Sequence, residues 1–132
     1  NEVMFGEAGH AYVYFTYGMH WLLNIVTESA GFPAAVLIRS IHPLQGLEII
    51  AQTRGKVPPS QWTNGPAKLC QALKIDGTFN GLDLCSPSSP LRIEKGKPIA
   101  DEKVRTSERI GLYSVPQPWK DIPWRFYVST LD

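Results

Sequence analysis

Residues Ala11–Asn24 read AYVYFTYGMHWLLN, three tyrosines, a phenylalanine and a tryptophan around a single Tyr17-Gly18 step. Aromatic and large aliphatic residues on both sides of that step predict two strands, Ala11 to Thr16 and Met19 to Thr27, joined as a β-hairpin. Tyr-Gly is not the Asn-Gly pair that would fix a two-residue type I′ turn, so a loop of two or of three residues fits the sequence. The choice matters, because a slip of one residue moves every side chain of a strand to the opposite face. With a three-residue loop (Tyr17, Gly18, Met19), Tyr12 and Tyr14 share a face with His20, Leu22 and Asn24; with a two-residue loop Asn24 goes to the other side. Such a hairpin can be plain hydrophobic core, or a platform that stacks flat rings such as nucleobases.

Beyond the hairpin, Gly31-Phe32-Pro33 marks a turn, and Ala34 to Ile41 (AAVLIRSI) is a short apolar run interrupted by Arg39, which reads as a buried strand. A helix is expected over Leu44 to Arg54, with Pro43 in its first turn and Gly55 as its stop. A second is expected over Pro66 to Leu73, again led by proline. From Lys74 to Pro98 the frequent glycines and prolines leave room for one strand, Leu91 to Glu94. Strand-like pieces follow at Val104 to Thr106 and Arg125 to Ser129, the last after a proline-rich link, Val115 to Pro123. The expected fold is α+β: one domain over residues 1–132, a curved and mostly antiparallel sheet with a protruding aromatic hairpin and a few short helices.

The composition agrees with a globular chain. At 132 residues, 43% hydrophobic and 19% charged, it is long enough for one real core. The longest apolar stretch, Trp21 to Val26, falls far short of the roughly 20 residues of a membrane span. The N-terminal residues lack both an initiator methionine and the pattern of a signal peptide, and read as a cut into a longer protein. Net charge is +1, but residues before Arg39 carry only Glu2, Glu7 and Glu28, while the remainder holds 13 Lys and Arg against 9 acids. The aromatic end must borrow any phosphate-binding charge from later segments. Cys70 and Cys85 are too few for a disulfide framework and read as buried free thiols. His10, His20 and His42 show no metal-ligand spacing, so no metal or other cofactor is expected.

Four segments together, YVYFTYGMHWLLN (12–24), VLIRSIHPLQG (36–46), NGPAKLCQAL (64–73) and WRFYV (124–128), resemble the alkyladenine, or 3-methyladenine, DNA glycosylases in order and in spacing. The resemblance covers essentially the whole chain. It implies an enzyme of base excision repair that acts as a monomer on double-stranded DNA containing alkylated purines, in the nucleoid or the nucleus, with no membrane partner. A base inside a duplex must be rotated out of the stack to be cut. By resemblance Tyr17 is the wedge that fills the gap, a role a rigid hairpin tip suits. Tyr14 matches the tyrosine that stacks on the flipped base; an alkylated purine carries ring charge, which an electron-rich aromatic face favours.

Asn24 matches a pocket-floor asparagine that disfavours guanine's exocyclic amino group, and Leu37 an apolar lining residue. Arg39 and Lys68 match contacts to the DNA backbone, and Met4 and Met19 apolar contacts near the lesion. Lys68 near a helix N-terminus is unfavourable to the macrodipole unless a phosphate is held there. Tyr12, although it alternates onto the face of Tyr14, is read as core. The resemblance places the family's catalytic glutamate upstream of Asn1; neither Glu2 nor Glu7 matches it, so the chain by itself is expected to be inactive or nearly so. A non-catalytic module that holds damaged DNA by stacking alone, and a plain aromatic-cored domain, account for the same residues.

Overall fold

In a computed structural model, residues 3–31, 33–111 and 116–129 are described, Phe5 by its backbone alone. Phe32 of the expected turn, Glu2, and Val115 of the proline-rich link lie outside the described residues. The chain divides into two compact units, Asn1–Glu94 and Lys95–Asp132. The fold is α+β, and every strand pair is antiparallel.

In the first unit β1 (Ala11–Thr16), β2 (His20–Val26) and β3 (Ala35–Leu37) form one sheet in the order β1-β2-β3. β1 and β2 pair Thr16 with His20, Tyr14 with Leu22 and Tyr12 with Asn24, which is the three-residue-loop register. Along the stem of the hairpin the odd-numbered residues go inward, whereas Phe15, nearer the tip, is exposed. Ala11, Val13 and Leu23 form the core with Leu69, Cys70, Ile75 and Leu84, and Trp21 and Ile25 pack against it. The even-numbered residues make the other face, on which Asn24 and Val26 are buried as well.

Two helices pack on one another, and the second also packs on the sheet. α1 (Leu47–Arg54) starts three residues later than the sequence suggests, because Gly46 adopts a left-handed φ of 71° and its carbonyl accepts from the amides of Ile49 and Ile50. Pro43 therefore lies ahead of the helix and not in its first turn. Gly55 ends α1 with its N–H on the Ala51 carbonyl, as expected. α2 (Pro66–Leu73) begins on its proline and buries Leu69, Cys70 and Ala72, packing on β2. Arg54 joins the two helices by donating to the Gln71 side chain.

Two expected strands are corrected. Of Ala34 to Ile41 only three residues form a strand, and none is buried: β3 is a sheet edge, and Val36 is 52% exposed. Leu91 to Glu94 is not a strand, since the Ile93 amide donates to Leu84 but no ladder forms around that bond. What the glycine-rich stretch contains instead is a 3-10 turn, Gly77–Phe79, capped by the Asp76 side chain on the Thr78 amide.

In the second unit β4 (Val104–Ser107) pairs with β5 (Arg125–Val128). Two of its arginines lie on aromatic faces: the Arg125 guanidinium sits 4.4 Å from the Tyr127 ring centre and donates to Ser107, and that of Arg109 sits 5.2 Å from the Trp124 ring. Among the described residues no helix is long and apolar enough to cross a membrane.

The two cysteines differ, and Cys85 corrects the expectation of two buried thiols: Cys70 is buried and Cys85 exposed. Burial pushes the Cys70 thiol up to about 11, partly offset by its hydrogen bond with the Leu23 backbone. A thiol reagent at pH 8 should titrate one thiol in the folded chain and two after unfolding. With the folded pKa raised, the stability that neutral Cys70 contributes is present below the unfolded value near 9 and is lost as pH rises through about 11. Cys70→Ala should flatten that alkaline decline in urea midpoints measured from pH 8 to 11. The core also constrains Gly77, where an added Cβ would stand 2.8 Å from the Trp21 indole. Gly77→Ala should lower unfolding free energy by about 1–3 kcal/mol in urea titration.

Candidate functional site

The site is the even-numbered face of the hairpin. Because Tyr12 pairs with Asn24, and Asn24 with Leu37, one residue from each strand stands in a single row across the sheet. Tyr14 stands one step nearer the tip on the same face. Its ring centre lies 5.2 Å from that of Tyr12 at an interplanar angle of 33°, within the range of favourable aromatic pairs. The Ile38 amide donates to the Leu23 carbonyl and Ile38 packs on the core, so alternation returns Arg39 to the face of Leu37, where it is half-buried.

Asn24 is 8% exposed, so its carboxamide needs partners. Its Nδ2 donates to the Tyr12 carbonyl at 3.3 Å. That bond is the ordinary structural reason for an asparagine in a strand, and it uses one of two amide N–H donors. Tyr14 is 36% exposed. Partial burial, followed by its neighbours Tyr12 and Tyr17, raises its phenol above the ordinary value, so it remains a neutral hydroxyl across the physiological range. His20 lies on the same face, and its buried Nδ1 has no hydrogen-bond partner among the described residues.

The tip is built differently from the stem. Tyr17 and Gly18 have φ of 53° and 66°, the sign that both central residues of a type I′ turn require. The Met19 amide closes that turn on the Thr16 carbonyl at 3.1 Å. Yet Thr16 pairs with His20, which leaves Met19 as an extra, unpaired residue. Tyr17 is 90% exposed and Met19 70%, so neither fills the core. A bulky residue at positive φ is uncommon and costs of order 1–3 kcal/mol. Here that cost brings no packing in return.

The other expected contacts, Met4 and Lys68, come from elements outside the hairpin. Met4 belongs to a 3-10 turn, Val3–Phe5, that packs on both β1 and β2, and it is half-buried. Lys68 is in the first turn of α2, with its Nζ held 3.0 Å from Asn64 Oδ1. The structure thus brings Tyr12, Tyr14, Asn24 and Leu37 together, sets Tyr17 and Met19 at the tip, and keeps Lys68 on a separate element. Tyr12, expected in the core, stands on this face instead. It lies outside the core cluster, and its alternation with Tyr14 was the available signal. Among the described residues no cluster of His, Cys, Asp or Glu is arranged to hold a metal ion.

A family model described as methylpurine-DNA glycosylase matches residues 1–131. A protein of Carboxydothermus hydrogenoformans named "Putative 3-methyladenine DNA glycosylase" is 48% identical over 129 residues, covering 98% of this chain and 65% of its own length. Proteins of the same name from Desulfitobacterium hafniense and Methanocella arvoryzae are 42% and 45% identical, with 97% and 96% of this chain covered, and 65% and 62% of theirs. The chain therefore spans a little under two thirds of the length of these relatives.

The exposed, left-handed Tyr17 generates a stability prediction. Asparagine tolerates that conformation better than tyrosine does, so Tyr17→Asn should raise unfolding free energy by about 1 kcal/mol. A thermal or urea midpoint that falls instead would mean that the tyrosine ring stabilises the tip.

Proposed function

The chain belongs to the methylpurine-DNA glycosylase family, and on that premise we propose that the whole protein is a DNA repair glycosylase. It rotates an alkylated purine of the 3-methyladenine type out of duplex DNA and hydrolyses the bond between base and deoxyribose, which starts base excision repair. The observation that carries this reading is the row Tyr12, Asn24 and Leu37, with Tyr14 beside it, on the side of the sheet opposite the core.

In this mechanism Tyr17 enters the duplex as the wedge. Extruding a base costs a few kcal/mol of stacking and pairing, and a flat apolar ring offered from a rigid tip fills the space left behind. Met19 follows it as an apolar contact, and Met4 adds another near the lesion. The extruded base lies against Tyr14. Alkylation at N3 or N7 puts positive charge on the purine ring, and attraction of a cation to an aromatic face is worth about 0.5–2 kcal/mol. This preference needs no base-specific hydrogen bond.

Asn24 acts at the base edge. One N–H goes to Tyr12, and the other faces the floor of the site. A purine with an amino group at that edge sets donor against donor, which costs about 1–3 kcal/mol for the unsatisfied groups. Leu37 closes the row with an apolar wall. Arg39 and Lys68 contact phosphates and supply the charge that the acidic first segment lacks. Hydrolysis itself requires water oriented and deprotonated by a general base as the purine departs, and it is proposed for the whole protein.

Binding separates the two tyrosines. Tyr17→Ala should weaken binding to a duplex carrying a tetrahydrofuran abasic mimic by at least about tenfold, the order of a lost base–aromatic stack. The same substitution should spare the fold, since Tyr17 is exposed. Fluorescence anisotropy at fixed salt measures it, and undiminished affinity would remove the wedge from the account.

A further inference from the structure

β1 is an edge strand of its sheet, and edges need covering. Along its first residues, the segment 81–84 does this with backbone: Gly81 donates to the Ala11 carbonyl, Ala11 to Leu82, and Leu84 to Gly9, all between 2.8 and 2.9 Å. Beyond Ala11 that segment leaves the edge for the 3-10 turn Gly77–Phe79. The next rung is made by a side chain. Asn80 Oδ1 accepts from the Val13 amide at 2.9 Å, standing in for the missing backbone carbonyl.

The place of this bond gives it a consequence. Val13 lies between Tyr12 and Tyr14, with its own side chain in the core. Its amide is therefore the point at which the outer edge of β1 is held beside both site tyrosines. Asn80 is itself fixed, because its N–H donates to the Gly77 carbonyl at 3.1 Å and Gly77 is wedged against the Trp21 indole. A chain of contacts thus runs from the inner face of β2, through the 3-10 turn, to the backbone of β1. We infer that Asn80 is a positioning residue for the base-stacking face: its carboxamide sets where β1 holds Tyr14 relative to Asn24 across the hairpin. This rests on the base-binding reading of that face. The bond is worth about 1 kcal/mol; lost alignment of that size is about a fivefold change in affinity.

The test uses the full chain with three duplexes, holding 7-methylguanine, guanine or the tetrahydrofuran mimic at one site. Asn80→Ala should lower the preference for 7-methylguanine over guanine about fivefold and leave the affinity for the tetrahydrofuran duplex unchanged, because that duplex has no base to stack. Hydrogen exchange at the Val13 amide should accelerate in the same variant. Asn80→Asp keeps an oxygen acceptor and should restore both Val13 protection and the preference. A parallel loss of affinity for all three duplexes would reduce Asn80 to a stability residue and overturn the inference. An unchanged preference in Asn80→Ala, with Val13 unprotected, would also overturn it. Tyr14→Ala distinguishes the two levels of failure. If it abolishes the preference while Asn80→Ala does not, only the positioning role falls; if Tyr14→Ala also has no effect, the base-binding reading falls and takes the positioning role with it.

Discussion

The pairing of Thr16 with His20 is the constraint on which the site depends. It makes the loop three residues long and so assigns each side chain of β1 and β2 to a face. Odd-numbered residues enter the core, where Ala11, Val13 and Leu23 meet α2. Even-numbered residues fall on the other face, where Tyr14 is half-exposed while Asn24 and Val26 are buried. A loop one residue shorter would exchange the faces of one strand, turning Asn24 to the core side and Leu23 to the side of Tyr14. The core thus enforces the register, and the register composes the site.

The tip shows what that arrangement costs locally. A turn of I′ sign is completed by tyrosine where glycine or asparagine would be relaxed, and the ring so placed is almost wholly in solvent. Met19, the additional residue, is exposed beside it. Natural sequences agree across levels except where function intervenes. In this hairpin the disagreement is confined to Tyr17 and Met19, while the stem below them obeys strand alternation. Packing holds the stem, while the side chains of Tyr17 and Met19 lie in solvent and outside the core cluster.

Much of this was legible in the sequence, for identifiable reasons. The hairpin strands and α2 carry strong local signals, aromatic density in one case and a leading proline in the other, and they formed within a residue or two of expectation. The alternatives for the hairpin register were also visible, but choosing between them required the core, which is a non-local fact. Failures occurred where a non-local partner decides. Apolar content suggested a buried strand at Ala34 to Ile41, yet an edge position leaves β3 short and exposed. A strand at Leu91 to Glu94 had no second strand to pair with. Gly46 delayed α1 by a left-handed residue that composition does not announce. Tyr12, expected in the core, lies outside the core cluster on the face of Tyr14 that alternation gives it, and Asn80, 67 residues from its partner Val13, gives no local sign of its bond.

The central claim is that a damaged purine is held by the even-numbered face of this hairpin. The most direct measurement is the set of nuclear Overhauser contacts from the N7-methyl protons of a 7-methylguanine, placed in a duplex and stabilised against hydrolysis by a 2′-fluorine. The account predicts contacts from that methyl group to the Tyr14 ring and the Leu37 methyl groups. Contacts only to neighbouring bases of the duplex, or to protein groups away from this face, would contradict it.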